Sequence, residues 1–181
     1  PLYLSNRATA LAAIVAGGTG GQATGQYSVI SGGESNVSSG LHSVVGGGLS
    51  NGANGQQSTV AGGAGSQAGA TYATVGGGNA NGALDSASTV SGGQNNAARA
   101  RHATVSGGLW NAVNSPLASI SGGYANNISS GQSSHIGGGD SNQVLAPYAI
   151  IGGGRFHYIN AQYGTIGGGL SDTVTGQAAT V

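Results

Sequence analysis

Few residues of this chain could do chemistry. Apart from tyrosine, its ionisable side chains are four acids (Glu34, Asp85, Asp140, Asp172), four arginines (Arg7, Arg99, Arg101, Arg155) and four histidines (His42, His102, His135, His157), with no lysine or cysteine. A serine, a histidine and a carboxylate would be the material of nucleophilic catalysis, and histidines with carboxylates that of a metal site. Neither set can be argued here, because the place of each residue in a repeat, described below, already accounts for it. The stretch GGTGGQATG from Gly17 to Gly25 has the look of a phosphate-cradling loop. Such a loop needs a Gly-Lys-Ser/Thr run between a strand and a helix, and the chain has no lysine. The stretch GGGDSNQVL from Gly137 to Leu145 hints at calcium-binding repeats, which carry an aspartate in nearly every copy. Four acids in the whole chain are too few for that. The expectation is therefore no enzyme, no catalytic residue, no metal and no cofactor.

Aromatic residues offer a different chemistry, that of recognition. Trp110, Tyr124 and Phe156 lie in a variable bend, and Arg155, His157 and Tyr158 flank the phenylalanine. Aromatic side chains and arginine dominate binding hot spots. Trp110, Tyr124, Arg155, Phe156 and Tyr158 are the candidate partner-binding residues. Packing along the chain or against a neighbouring copy is the competing explanation for them.

The elements that must position these residues follow from a strict register. A valine or isoleucine recurs at Val15, Ile30, Val45, Val60, Val75, Val90, Val105, Ile120, Ile136, Ile151, Ile166 and Val181. Every gap is 15 residues except the one from Ile120 to Ile136, which is 16. Two glycines stand two and three places after each of the first eleven anchors, from Gly17-Gly18 to Gly168-Gly169. Six places after the anchor comes Asn36, Asn51, Asn81, Asn96, Asn111, Asn126 or Asn142 in seven of eleven repeats, a residue type that suits a turn, and Gly21, Ser66, His157 or Asp172 in the others. Eight places after it comes a small or β-branched apolar residue such as Ala53, Val113 or Ile159, a column that Ser38 breaks. Three places before it tyrosine and histidine recur, and one place before it Thr59, Thr74, Thr89 and Thr104 form a column.

Fifteen residues are too few for a helical hairpin or a propeller blade. They suit one coil of an all-β solenoid, a parallel β-roll with two short strands and two tight turns. Coils stacked about 4.8 Å apart would make a rod of roughly 50 Å. Residues 1–14 precede the first anchor and read as an entering segment or cap. Residues 15–181 read as the solenoid, eleven repeats of 15 or 16 residues and the start of a twelfth. The extra residue between Ile120 and Ile136 should bulge a loop near Ser129 to Ser133.

Composition limits the function classes. Glycine supplies 39 of 181 residues, only 4% of residues are charged, and acids and arginines balance. A neutral, lysine-free chain lacks the electrostatic footprint for nucleic acid or an acidic membrane surface. No apolar run nears the ~20 residues of a membrane span. Each coil offers two or three apolar side chains, many of them alanine, which is meagre against the entropy of ordering fifteen residues. That shortfall predicts a homo-oligomer, and three flat coils meeting around an axis are an attractive arrangement. Strand edges at the ends of an uncapped rod also predict a longer protein or end-to-end stacking into a fibre.

The repeat resembles the heads of YadA-type trimeric autotransporter adhesins. Ser43-Val44-Val45-Gly46-Gly47-Gly48 followed by Asn51-Gly52-Ala53-Asn54-Gly55 is similar in plan to their roughly 14-residue repeat. Thr74-Val75-Gly76-Gly77-Gly78 with Asn81 and Ala83 is similar to Gly-rich repeats of secreted and tail-fibre-like proteins. The likeness covers residues 15–181. It departs from the adhesin heads in its period of 15 and in its double glycine. The resemblance implies a trimeric extracellular β-roll at the cell surface, the head or shaft of a bacterial adhesin displayed to a host or surface macromolecule. Alternatives are a segment of a phage tail fibre or extracellular filament, and an ice-binding solenoid, to which the threonine column points.

Overall fold

A computed structural model describes residues 5–181 and places them in a β-solenoid of about eleven turns, without a helix among them. Its 23 strands are two residues each. They fall into two parallel sheets. One has 12 strands, from Arg7–Ala8 to Thr173–Val174, and the other has 11, from Ile14–Val15 to Thr165–Ile166. We call them the first and second sheets. Each strand pairs with the strand one coil away, as Thr74 with Thr89 and Val75 with Val90.

The strands alternate as their pleat demands. In the second sheet the anchor points inward, and Ile30, Val45, Val60, Val75, Val90, Val105, Ile120, Ile136, Ile151 and Ile166 are fully buried. Val15 in the first strand is half-buried, and Val181 is exposed. In the first sheet the second residue points inward, which buries Ala53, Ala83, Val113, Ile128 and Ile159 completely. The core is thus a stack of facing Val/Ile and Ala/Val/Ile pairs, lined at its sides by small residues such as Ser58, Ala73 and Ala103.

The coil has three sides rather than the two that its sequence predicts. Between the sheets runs a third parallel row, one residue per coil, from Thr19 paired with Glu34 to Arg155 paired with Leu170. Two corners in each coil use left-handed backbone. One lies five places after the anchor (Ser35, Ser50, Ala80, Asn95, Trp110, Phe156) and the other at the tyrosine and histidine column (Tyr27, His42, Tyr72, His102, Tyr148, Tyr163), with φ between 53° and 63° at these twelve positions.

The asparagine column is not a turn column. Its members are buried, and the left-handed residue is the one before each of them. Each asparagine instead ties coils together. Asn96 Nδ2 donates to Gly92 O in its own coil at 2.9 Å and to Gly108 O in the next at 2.8 Å. The glycine pair also divides into two roles. At Gly93 φ is 85°, and a Cβ would stand 2.2 Å from Gly108 O. A Cβ on Gly92 would meet nothing within 4 Å. Gly93 is required by backbone and space, while Gly92 is not; in other coils the second-place Gly47, Gly77 and Gly138 have φ of 153°, 155° and 158°.

The sixteen-residue coil is accommodated at one point. Ser129 N–H still donates to Val144 O, and Gly131 O still accepts from Ser134 N–H, as in the regular coils. The added residue is Ser130, which is exposed. Ahead of Val15, Arg7–Ala8 pairs in register with Gln22–Ala23, and Asn6 Oδ1 accepts from Gly21 N–H at 2.9 Å.

Candidate functional site

The recognition residues expected from sequence gather on one corner of the coil. Tyr124 and Arg155 belong to the third row, and Trp110 and Phe156 to the left-handed corner beside it. Their rings face solvent: Trp110 is 57% exposed, Tyr124 49% and Phe156 47%. Trp110 and Tyr124 lie in neighbouring coils, and Phe156 two coils beyond Tyr124. Left-handed backbone is costly for a bulky side chain. Elsewhere this corner carries glycine, serine, alanine or asparagine. A tryptophan and a phenylalanine here bear that cost without burying their rings.

Arg155 has two side-chain partners. Its Nε lies 2.9 Å from Asp140 Oδ2 in the adjacent coil, and its guanidinium carbon is 4.5 Å from the centre of the Phe156 ring. The pair is exposed, so its contribution is at most about 1 kcal/mol. What it does is orient a flat cation beside an aromatic ring. Tyr158 departs from this group. It stands on the outer side of the first sheet, half-buried, two residues past the corner.

The histidines take up separate positions. His157 occupies the asparagine column and is 1% exposed. Its Nδ1 accepts from Asp172 N–H at 3.1 Å and lies 3.3 Å from Asp172 Oδ2, while its Nε2 has no partner. His42 stacks on Tyr27 at the other corner, rings 4.7 Å apart and 7° from parallel, and Tyr148 stacks on Tyr163 in the same way. His135 Nδ1 is 2.9 Å from Ser119 Oγ. This pair consists of neighbours in one column of the second sheet. Among the described residues no carboxylate bonds to that imidazole, and no three His, Cys, Asp or Glu side chains converge as metal ligands.

Sequence reasoning did not foresee a groove on the first sheet. Its floor is the outward column Gly52, Gln67, Gly82 and Ala97, and its walls are the left-handed corner and the residues two places past the floor. Two adjoining sections, of about 270 and 330 Å³, share Gly65 and Gln67. Trp110 and Arg99 stand at one end. The signal was present as glycine and alanine in the column just before the buried Ala/Val/Ile residues. It was hidden because a small residue on an exposed strand has no meaning until its neighbours are known.

The outer side of the second sheet carries a run of threonines. Thr59, Thr74, Thr89 and Thr104 pair in register, and each is half-exposed and points away from the core. No known family model matches this chain, and no curated protein sequence matches it.

Proposed function

We propose that this chain is a segment of a non-enzymatic extracellular fibrous protein, the head or shaft of a trimeric bacterial surface adhesin. The observation that carries the reading is the corner bearing Trp110, Tyr124 and Phe156. A continuously laddered rod holds Trp110 and Phe156 in solvent on left-handed backbone, with Tyr124 exposed beside that corner, and a partner that covers them would repay that cost. Arg155, oriented by Asp140, belongs to the same display. The partner is a host or surface macromolecule.

The outer side of the second sheet is suited to self-association. Val29, Val44, Thr59, Thr74, Thr89 and Thr104 form a straight β-branched column there, bordered by Gly46, Gly76 and the open second-place glycines. Such a face admits close approach of another chain. Three copies packed on it would leave the aromatic corners outward. Light scattering after size exclusion tests the assembly. A mass three times 17.1 kDa is expected, and a stable monomer would remove the trimer. A large polydisperse species would instead favour an end-to-end filament, as in a phage fibre. Adhesion to immobilised host surfaces, compared between wild type and a Trp110→Ser, Phe156→Ser double variant, tests the display.

A second reading rests on the threonine column. Four outward threonines in register on a parallel sheet also suit an ice-binding face. Measurable thermal hysteresis would be required for it.

A further inference from the structure

We infer that the groove over the first sheet is a binding site for a linear acidic oligosaccharide lying along the rod axis. The inference rests on the reading of the chain as a displayed rod, to which it adds a site and a ligand class. The groove runs across the strands, and its two sections span the coils from Ser35 to Trp110. Each coil rises about 4.8 Å, a distance comparable to the advance of one pyranose unit along a glycan chain. Successive sugars would therefore meet equivalent positions on successive coils.

The lining suits sugar hydroxyls. Asn54, Gln67 and Asn95 offer side-chain amides, and Ser50 offers a hydroxyl. Trp110 offers an indole face at one end, with Leu84 on the opposite wall. An aromatic plane beside a few polar groups gives a sugar both its apolar and its hydrogen-bonding contacts. An extended peptide fits less well. The backbone N–H groups of Gly52, Gln67, Gly82 and Ala97 all donate to the next coil at 2.8–2.9 Å, so the floor has no free edge for strand addition.

The charge follows from Arg99. It is the single charged residue lining the groove, and no carboxylate lines either section. Unlike Arg155, it has no ion pair among the described residues, and its side-chain bond to Asn114 Oδ1 is 3.4 Å long. An exposed guanidinium offers two parallel donors, which match the carboxylate of a uronic acid.

The repeat supplies substitutions that its own columns already accept. Gly82→Tyr fills the floor, and Tyr158 occupies the same column five coils on. A Cβ at Gly82 would meet the exposed Leu84 side chain at 3.3 Å, which can turn aside. Arg99→Asn and Trp110→Ser copy Asn54 and Ser50. Trp110 is the sole tryptophan, so its emission reports the site directly.

The test titrates the purified protein with hexagalacturonate, its fully methyl-esterified form, and hexaglutamate. Trp110 emission is followed throughout, with calorimetry for Trp110→Ser. A saturable shift with hexagalacturonate is expected. The bond to a charged group predicts binding weaker by about tenfold or more with the neutral ester and with Arg99→Asn. Gly82→Tyr should abolish binding while keeping the melting transition. No saturable change up to ~1 mM, the weak end of specific recognition, would overturn the site. Equal binding by the ester, or binding that survives Gly82→Tyr, would overturn it too. Binding of hexaglutamate alone would overturn the glycan assignment. Loss of glycan binding with a three-chain mass intact would sink the groove without touching the rod.

Discussion

Asn111 hangs from Asn96: its backbone N–H donates to Asn96 Oδ1 at 3.0 Å, and its Nδ2 reaches the same oxygen at 3.2 Å. With the two carbonyls that Asn96 holds through its own Nδ2, in its own coil and the next, one buried amide ties two consecutive coils. Replacing Asn96 with alanine strands Asn111 N–H and Gly92 O, and leaves Gly108 O with the Gln94 N–H alone. A buried unsatisfied group costs about 1–3 kcal/mol. Asn96→Ala should lose several kcal/mol, read as a lower denaturant midpoint. Asn96→Ser should lose less, since Ser66 fills this column and its Oγ still accepts from Asn81 N–H at 3.3 Å.

The two glycines of one pair should respond oppositely. Gly93→Ala would force a Cβ against Gly108 O at a φ of 85°. Left-handed strain alone is about 1 kcal/mol or more, and the overlap is with backbone that cannot turn away. Gly92→Ala meets open space and reduces the freedom of the unfolded chain. It should leave stability unchanged or raise it by up to about 1 kcal/mol. Thermal melts of the two variants side by side check this, and equal effects would contradict the division of roles.

His157 is the flaw in the asparagine column. An asparagine there would place Nδ2 to donate to Gly153 O and Gly169 O, as Asn142 does with Gly138 and Gly154. His157→Asn would also remove the buried Nε2 that has no partner. The variant should be more stable by about 1–2 kcal/mol. Denaturant unfolding reads the change, and a loss of stability would mean that His157 is held by its Asp172 contacts more firmly than an amide would be.

Trp110 should be dispensable for folding. It is exposed, and its φ of 63° suits glycine, asparagine or serine better than an indole. Trp110→Ser is expected to hold or raise the melting temperature while removing partner binding. A marked drop in stability would show that the indole is a packing residue of the rod.

Much of the fold was legible in the chain itself. A β-branched anchor every fifteen residues, with glycines two and three places on, dictates a coil of fixed length. Once the coil length is fixed, Val75 must lie beside Val60 and Val90, so parallel register follows without further information. The single sixteen-residue gap likewise foretold an added loop residue near Ser129 to Ser133. The local chemistry of each column, apolar or small or aromatic, was also visible at this level.

What tertiary structure decided was direction and distance. Asn96 and Gly92 are four residues apart in any conformation, but only the closed coil turns the amide inward and sets Gly108 O within its reach. The identical letters of Gly92 and Gly93 conceal that one faces open space and the other the next coil's backbone. Trp110 and Arg99 are eleven residues apart, yet one corner and one wall bring them to the same end of a groove whose floor is Gly82 and Ala97. A repeat pattern specifies which residues stack, because stacking repeats along one dimension. It does not specify which way a column faces, since that depends on how the coil closes across its own section.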